Sequence, residues 1–215
     1  MKKIFIEGFL DGNIDIDSSK LKGLPKRLGL LFPVQYAHIA PNLIEMLEKE
    51  GIKVETGGDQ KYSSQILGCD ISAAKEVAER VEGFLYFGDG HFHPVAIAVQ
   101  TDKPVYCLDP GTGEFYDVRA EAEKIKKKNK AKYIKFLSAE NIGILVSTKP
   151  GQFNMKAAEE LQKKYPEKKF YTFLFDTIQP SYLENFPFVD AFVTTACPRI
   201  QEDFPNVVDF KALDI

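Results

Sequence analysis

Two cysteines sit where thiol chemistry is most plausible in this sequence. Cys69 lies in Ser64-Gln65-Ile66-Leu67-Gly68-Cys69-Asp70, just before a helical stretch, and Cys197 in Ala196-Cys197-Pro198-Arg199, just after an apolar strand. Thiolates at two such turns can face each other across an inter-domain cleft, where an iron–sulfur cluster or a soft metal fits. The third cysteine, Cys107, falls inside a strand and reads as a core thiol. Three widely scattered cysteines do not make a disulfide framework.

Four polar, glycine-bearing segments accompany them. Gly88-Asp89-Gly90-His91-Phe92-His93-Pro94 follows one strand, and Asp109-Pro110-Gly111-Thr112-Gly113 follows another. Ser147-Thr148-Lys149-Pro150-Gly151-Gln152 and Thr194-Thr195-Ala196-Cys197-Pro198-Arg199 follow strands further on. Glycines there let the backbone approach a ligand, and free amides at a helix start favour an anion. Gly88-Asp89-Gly90 lacks the third glycine of a dinucleotide fingerprint, and there is no phosphate loop ending in Gly-Lys-Ser or Gly-Lys-Thr. His91, His93 and Asp89 have the donor types of a zinc site, but residues two apart need not converge and no further ligand is close in sequence. No Gly-x-Ser-x-Gly turn marks a hydrolase nucleophile.

Strands alternating with helices over short connections must position these segments, which predicts parallel α/β architecture. Strands are expected at Leu28–Phe32, Ile52–Glu55, Phe84–Phe87 and Val105–Leu108. Helices are expected with Ile39, Leu43, Met46 and Leu47 on one face, over Ser72–Val81, and after Pro94. Four such strands make a small Rossmann-like unit, residues 25–117. A second unit, 141–215, has strands at Ile142–Val146, Phe170–Phe175, Ala191–Thr194 and Val207–Val208, with a helix burying Ala158 and Leu161. A helix within 118–140 joins them, with Val118, Ala122, Ile125, Tyr133 and Phe136 on one stripe. Its lysines, Lys124, Lys126, Lys127, Lys128, Lys130, Lys132 and Lys135, read as a solvated face rather than a contact surface. Lys3–Phe9 reads as a strand with no crossover helix before it. In doubly wound sheets ligands bind outside the carboxyl ends of the strands, and all four polar segments fall there.

Composition narrows the function classes. The 215 residues are 44% hydrophobic and 27% charged, normal for a globular protein that buries a core. A net charge of −3 and a pI near 5.7 argue against a nucleic-acid-binding surface. No apolar run is long enough to span a membrane, and Glu7 and Asp11 interrupt the start too soon for a signal peptide. A cytoplasmic protein is expected.

Several of these segments resemble one family. Gln65-Ile66-Leu67-Gly68-Cys69-Asp70 with Ser72-Ala73-Ala74-Lys75 is similar to the second cysteine motif of diphthamide synthases, the 2-(3-amino-3-carboxypropyl)histidine synthases. Residues 88–94 resemble their Gly-x-Gly-x-Phe-His-Pro segment. Asp109-Pro110 with Thr112-Gly113-Glu114 resembles their Asn/Asp-Pro-Tyr-Thr-Gly-Glu stretch, with Gly111 in place of tyrosine. Pro33-Val34-Gln35-Tyr36-Ala37-His38 looks like the loop that opens the middle domain, and residues 148–152 and 195–200 look like segments of the last domain.

The resemblance implies three similar α/β domains, each giving one cysteine to a [4Fe–4S] cluster whose open iron binds S-adenosylmethionine. It also implies radical transfer of a 3-amino-3-carboxypropyl group to a histidine of elongation factor 2. By match, Cys69 and Cys197 would be the second and third cluster ligands. Gln35, Asp89, Gly90, His91, His93, Thr148, Lys149, Gly151, Gln152 and Arg199 would line the substrate pocket. The family's first domain has no counterpart in this sequence, residues 1–24 reading as its last strand and linker. Three readings follow: a split enzyme whose separate partner supplies the first domain and its cysteine; a non-catalytic accessory subunit beside a homologous one; or a cluster completed by Cys107 or a non-cysteine ligand. A cluster-free, two-lobed small-molecule binding protein is the alternative of a different class.

Overall fold

The computed structural model describes residues 8–10 and 17–213. These fall into two compact units, one up to Glu123 and one from Lys124.

In the first unit, β1 (Arg27–Pro33) is apolar and buried from Leu28 onward, as a strand covered on both faces requires. It pairs in parallel with β2 (Lys53–Glu55) and β4 (Gly83–Phe87), and β4 pairs in parallel with β5 (Val105–Leu108). Two short strands extend this sheet beyond the sequence expectation. β3 (Gln65–Ile66) pairs with the end of β1, and β6 (Phe115–Asp117) pairs antiparallel with β5, giving the order β2-β1-β4-β5-β6. The pleat sends Leu28, Leu30, Phe32, Leu85 and Phe87 to one face, against Leu43 and Leu47 of α1 (Ala40–Lys49). The remaining buried apolar residues include Leu31, Phe84, Tyr86, Ala73 and Ala74 of α2 (Ser72–Val77), and Ile97 of α3 (Phe92–Thr101).

Two helix boundaries differ from expectation. α2 stops at Val77 and a 3-10 turn carries the chain through Ala78–Arg80. α3 starts at Phe92, before Pro94, because a proline in the first turn forfeits an N–H that has no helical partner anyway. Of the strand expected over Lys3–Phe9, residues 3–7 lie outside the described residues, and Gly8 and Phe9 are in no strand. Leu21 and Leu24 are buried in this unit's core.

The second unit is a four-stranded, wholly parallel sheet: β7 (Asn141–Ser147), β8 (Lys169–Phe175), β9 (Ala191–Thr194) and β10 (Val207–Asp209), in the order β10-β9-β7-β8. One face packs Ile142, Ile144, Val146 and Val193 with Ala158 and Leu161 of α5 (Met155–Lys164). The other packs Leu145 and Phe192 with Leu183 of α6 (Pro180–Leu183). The division between units falls within α4 (Arg119–Ser138). The expected apolar stripe is present there, Phe136 being fully buried. One of its lysines departs from the solvated face: Lys132 is buried, donates to the Gln201 carbonyl, and burial pulls its pKa down.

Both units share one topology. With the two-residue β3 left aside, the four parallel strands of each unit, renumbered within it, run 2-1-3-4, so the strand order reverses between β1 and β4 and again between β7 and β9. A glycine marks the same register in each: Gly29 of β1 faces Phe84 of β4, and Gly143 of β7 faces Phe192 of β9. Each glycine leaves the space its neighbour's ring occupies.

Candidate functional site

A doubly wound sheet binds ligands outside the carboxyl ends of its strands, at the point where strand order reverses. In the first unit that point lies between the turn after β1 and the turn after β4, namely Val34–Tyr36 and Gly88–His91. Gln35 is half-buried, and Asp89, Gly90 and His91 are exposed there. The neighbouring phenol of Tyr36 is pushed above its ordinary pKa by burial first, then by the charges of Asp89 and Asp109. The Asp109 carboxylate accepts from the amides of Gly111 and Thr112 at 2.8 and 3.1 Å, so this segment is a self-bonded turn.

The two histidines of the segment diverge. His91 Nδ1 lies 3.0 Å from Glu121 Oε2, and its ring stacks on Tyr116 at 4.8 Å. Among the described residues Nε2 makes no hydrogen bond. His93 turns inward instead, with Nδ1 3.1 Å from the hydroxyl of the fully buried Tyr86. The sequence reading missed Tyr86 and Glu121. The signal for Tyr86 was a hydroxyl inside the otherwise apolar run Phe84-Leu85-Tyr86-Phe87, because a buried phenol needs a partner. Gly88 also has a different reason from the one expected: a Cβ there would meet the Tyr86 hydroxyl at 2.8 Å and Pro33 Cδ at 2.9 Å. Its small size serves the protein's own packing. Gly90, at φ 73°, is glycine for backbone reasons.

Cys69 stands on a tight turn. The Asp70 amide donates to the Leu67 carbonyl at 3.0 Å, and Gly68 takes φ 57°, which puts the exposed Cys69 at the turn's corner. The Asp70 carboxylate accepts from the Ser72 amide at 2.9 Å at the start of α2, and from Gln60 Nε2 at 3.0 Å. Cys107 contrasts with it. It is fully buried in β5, paired in register with Tyr86 and Tyr116. Burial pushes its thiol up to about 12, only partly offset by the Tyr116 hydroxyl bond. A thiol so disfavoured as thiolate is a core side chain.

In the second unit the reversal point lies between the turns after β7 and β9, and residues 148–152 and 195–199 are those turns. Thr148, Lys149, Gly151, Gln152 and Arg199 are exposed, and Cys197 is half-buried. The Thr148 amide donates to the Phe175 carbonyl at 2.9 Å, and the Lys149 amide to Ser147 Oγ at 3.2 Å. The Thr195 amide donates to the Leu145 carbonyl at 3.0 Å, tying the cysteine turn to β7. The Cys197 carbonyl accepts from the Ile200 amide at 3.0 Å at the start of α7 (Ile200–Asp203). Each unit thus presents one accessible thiol on a hydrogen-bonded turn, but at different connections: Cys69 ahead of the helix that leads to β4, Cys197 directly after β9. Each is by itself a soft donor of the type that iron–sulfur clusters take, whereas Cys107 is enclosed in a strand. Among the described residues no three His, Cys, Asp or Glu side chains converge as a metal site, and no helix is long and apolar enough to cross a membrane.

Residues 2–212 match the family described as "Putative diphthamide synthesis protein". The 2-(3-amino-3-carboxypropyl)histidine synthase of Pyrococcus horikoshii is 34% identical over 189 residues, covering 86% of this chain and 54% of that protein. Subunit 1 of the Caenorhabditis elegans synthase is 28% identical over 215 residues, covering 95% and 52%. The crystal structure of Dph2 from Pyrococcus horikoshii with a 4Fe-4S cluster superposes with a TM-score of 0.77 at 32% identity, covering 91% of this chain and 58% of that one. The chain therefore spans about half the length of the curated relatives it matches. Family match, identity and fold agree, and this chain belongs to the diphthamide synthesis family.

Proposed function

We propose that this chain provides two thiolate ligands and part of the substrate pocket of an iron–sulfur transferase. That enzyme moves a 3-amino-3-carboxypropyl group from S-adenosylmethionine to a histidine of elongation factor 2, in the cytoplasm. The observation that carries the reading is one accessible cysteine on an anchored turn at the ligand-binding edge of each sheet, in a member of a family with a cluster-bearing relative.

Cys69 and Cys197 would hold the cluster. When bound, a reduced [4Fe–4S] cluster supplies one electron that breaks the Cγ–S bond of the sulfonium. The remaining work belongs to the chain. Asp89 is the carboxylate suited to the ammonium of the methionine part, and Lys149 and Arg199 are the cations suited to its carboxylate. Thr148, Gln152, Gln35 and the backbone at Gly90 and Gly151 would add neutral hydrogen bonds. His91, held through Nδ1 by Glu121, offers Nε2 to a substrate proton. The third thiolate comes from outside these 215 residues, from a separate partner or a homologous subunit.

The test is anaerobic reconstitution, with iron, sulfide and absorbance near 400 nm measured for wild type and for Cys69→Ala, Cys107→Ala and Cys197→Ala. Loss of iron in the first and third but not in Cys107→Ala is the expected result. A colourless wild type, with or without the partner, would overturn the reading in favour of an accessory subunit or a plain binding protein.

A further inference from the structure

The turn that bears Cys197 runs into a helix that does little to hold itself. α7 has four residues, none of them buried, and two are the acidic Glu202 and Asp203. So short a helix makes too few hydrogen bonds to stand without outside contacts. Its first bonds are those of the turn: the Ile200 amide donates to the Cys197 carbonyl at 3.0 Å, and the Gln201 amide to the Pro198 carbonyl at 3.3 Å.

The outside contacts converge on Gln201. Its Oε1 accepts from the Asp209 amide at 3.1 Å, at the end of β10. Asp209 lies in register with Thr194, the last residue of β9 before the cysteine turn. The main-chain carbonyl of Gln201 accepts from the ammonium of Lys132 on α4. Carbonyls at a helix end lack helical partners, and a lysine is a suitable donor to them. Lys132 is also the one lysine of α4 that is buried. Withdrawing a cation from water is costly, and a neutral carbonyl compensates only in part, so its placement calls for a reason.

We infer that Lys132 and Gln201 are positioning residues for Cys197: α4 and β10 hold Gln201, and Gln201 holds the α7 end of the cysteine turn. Neither side chain touches substrate in this arrangement. The inference rests on the proposed role of Cys197 for its functional meaning, but not for its structural content.

Two measurements on the metal-free chain test it. Native-state hydrogen exchange is read at the Ile200 amide, with the Thr148 amide, bonded to the Phe175 carbonyl at 2.9 Å, as a control in the same unit. Losing one hydrogen bond changes an opening equilibrium by roughly tenfold, so Lys132→Met and Gln201→Met should each speed Ile200 by that factor and leave Thr148 unchanged. Gln201→Glu, which keeps an oxygen for the Asp209 amide, should stay near wild type. Alkylation by iodoacetamide gives the second readout: Cys197 should react faster in both methionine variants, while the exposed Cys69 keeps its wild-type rate. If Lys132→Met fails to fold, Gln201→Met, at a half-buried position, decides the matter. Ile200 and Cys197 indifferent to Gln201→Met, or Ile200 and Thr148 quickening together, would refute the inference. Iron content separates this from the larger proposal: a wild type that binds no iron sinks the transferase reading and leaves the exchange and alkylation comparisons intact.

Discussion

Replacing Gly143 with alanine tests the glycine–phenylalanine register at the centre of the second unit. A Cβ there would collide with Phe192 Cδ1, and would lie 2.6 Å from Phe192 Cε1 and 3.1 Å from Phe173 Cε2. Ordinary carbon contacts start near 3.5 Å, so the Phe192 ring must move by about an ångström. It cannot do so freely, being buried against Leu145, Leu183, Phe204 and Val207. Overpacking of this kind costs about 1–3 kcal/mol. Alanine recovers roughly 0.5–1 kcal/mol of the backbone entropy that glycine loses in a strand. The net expectation is a destabilisation of about 1–2 kcal/mol. With a urea slope of about 1–3 kcal/mol per molar, the midpoint of that unit falls by roughly 0.5–1 M. Circular dichroism in a urea titration reads this, and Gly143→Ala/Phe192→Leu should regain part of the loss, since the smaller side chain makes room. A single variant as stable as wild type, or a double variant whose effects simply add, would refute the steric argument.

Two further outcomes follow from buried ionisable groups. Because burial raises the Cys107 thiol from the ordinary cysteine range to about 12, the stability it contributes is intact below that ordinary range and is lost as pH rises through about 12; Cys107→Ala should flatten that alkaline loss in a denaturation series. Burial likewise raises the pKa of Asp209, despite a 2.9 Å bond from the Lys211 amide, so its contribution is present below the ordinary carboxylate range and lost as pH rises through the elevated value. Asp209→Asn, which keeps an oxygen for that amide, should therefore raise the urea midpoint at pH 7 and leave it unchanged below pH 4.

The architecture was readable because strands buried on both faces are written as unbroken apolar runs. Leu28–Phe32, Phe84–Phe87, Val105–Leu108 and Ile142–Val146 all lie within the observed strands. β3 and β6 escaped because two- and three-residue strands carry no period of their own, and their pairing is set by the edge they meet. The status of Cys107 was readable from its place inside a strand. The roles within Gly88–Pro94 were not, since His91 and His93 are chemically alike and two residues apart.

By itself the sequence determined the parallel α/β class, the turns that bear Cys69 and Cys197, and the family resemblance, because apolar runs, glycines and cysteine motifs are local in the chain. Tertiary structure alone decided that both units reverse strand order at their central pair. It also decided that His91 faces outward on Glu121 while His93 turns in to Tyr86, and that Gly88, Gly29 and Gly143 are small for the sake of neighbouring rings. Those outcomes depend on which residue a strand pairing or helix packing brings opposite, and such partners lie as far as 55 residues apart in the chain, as Gly29 and Phe84 do.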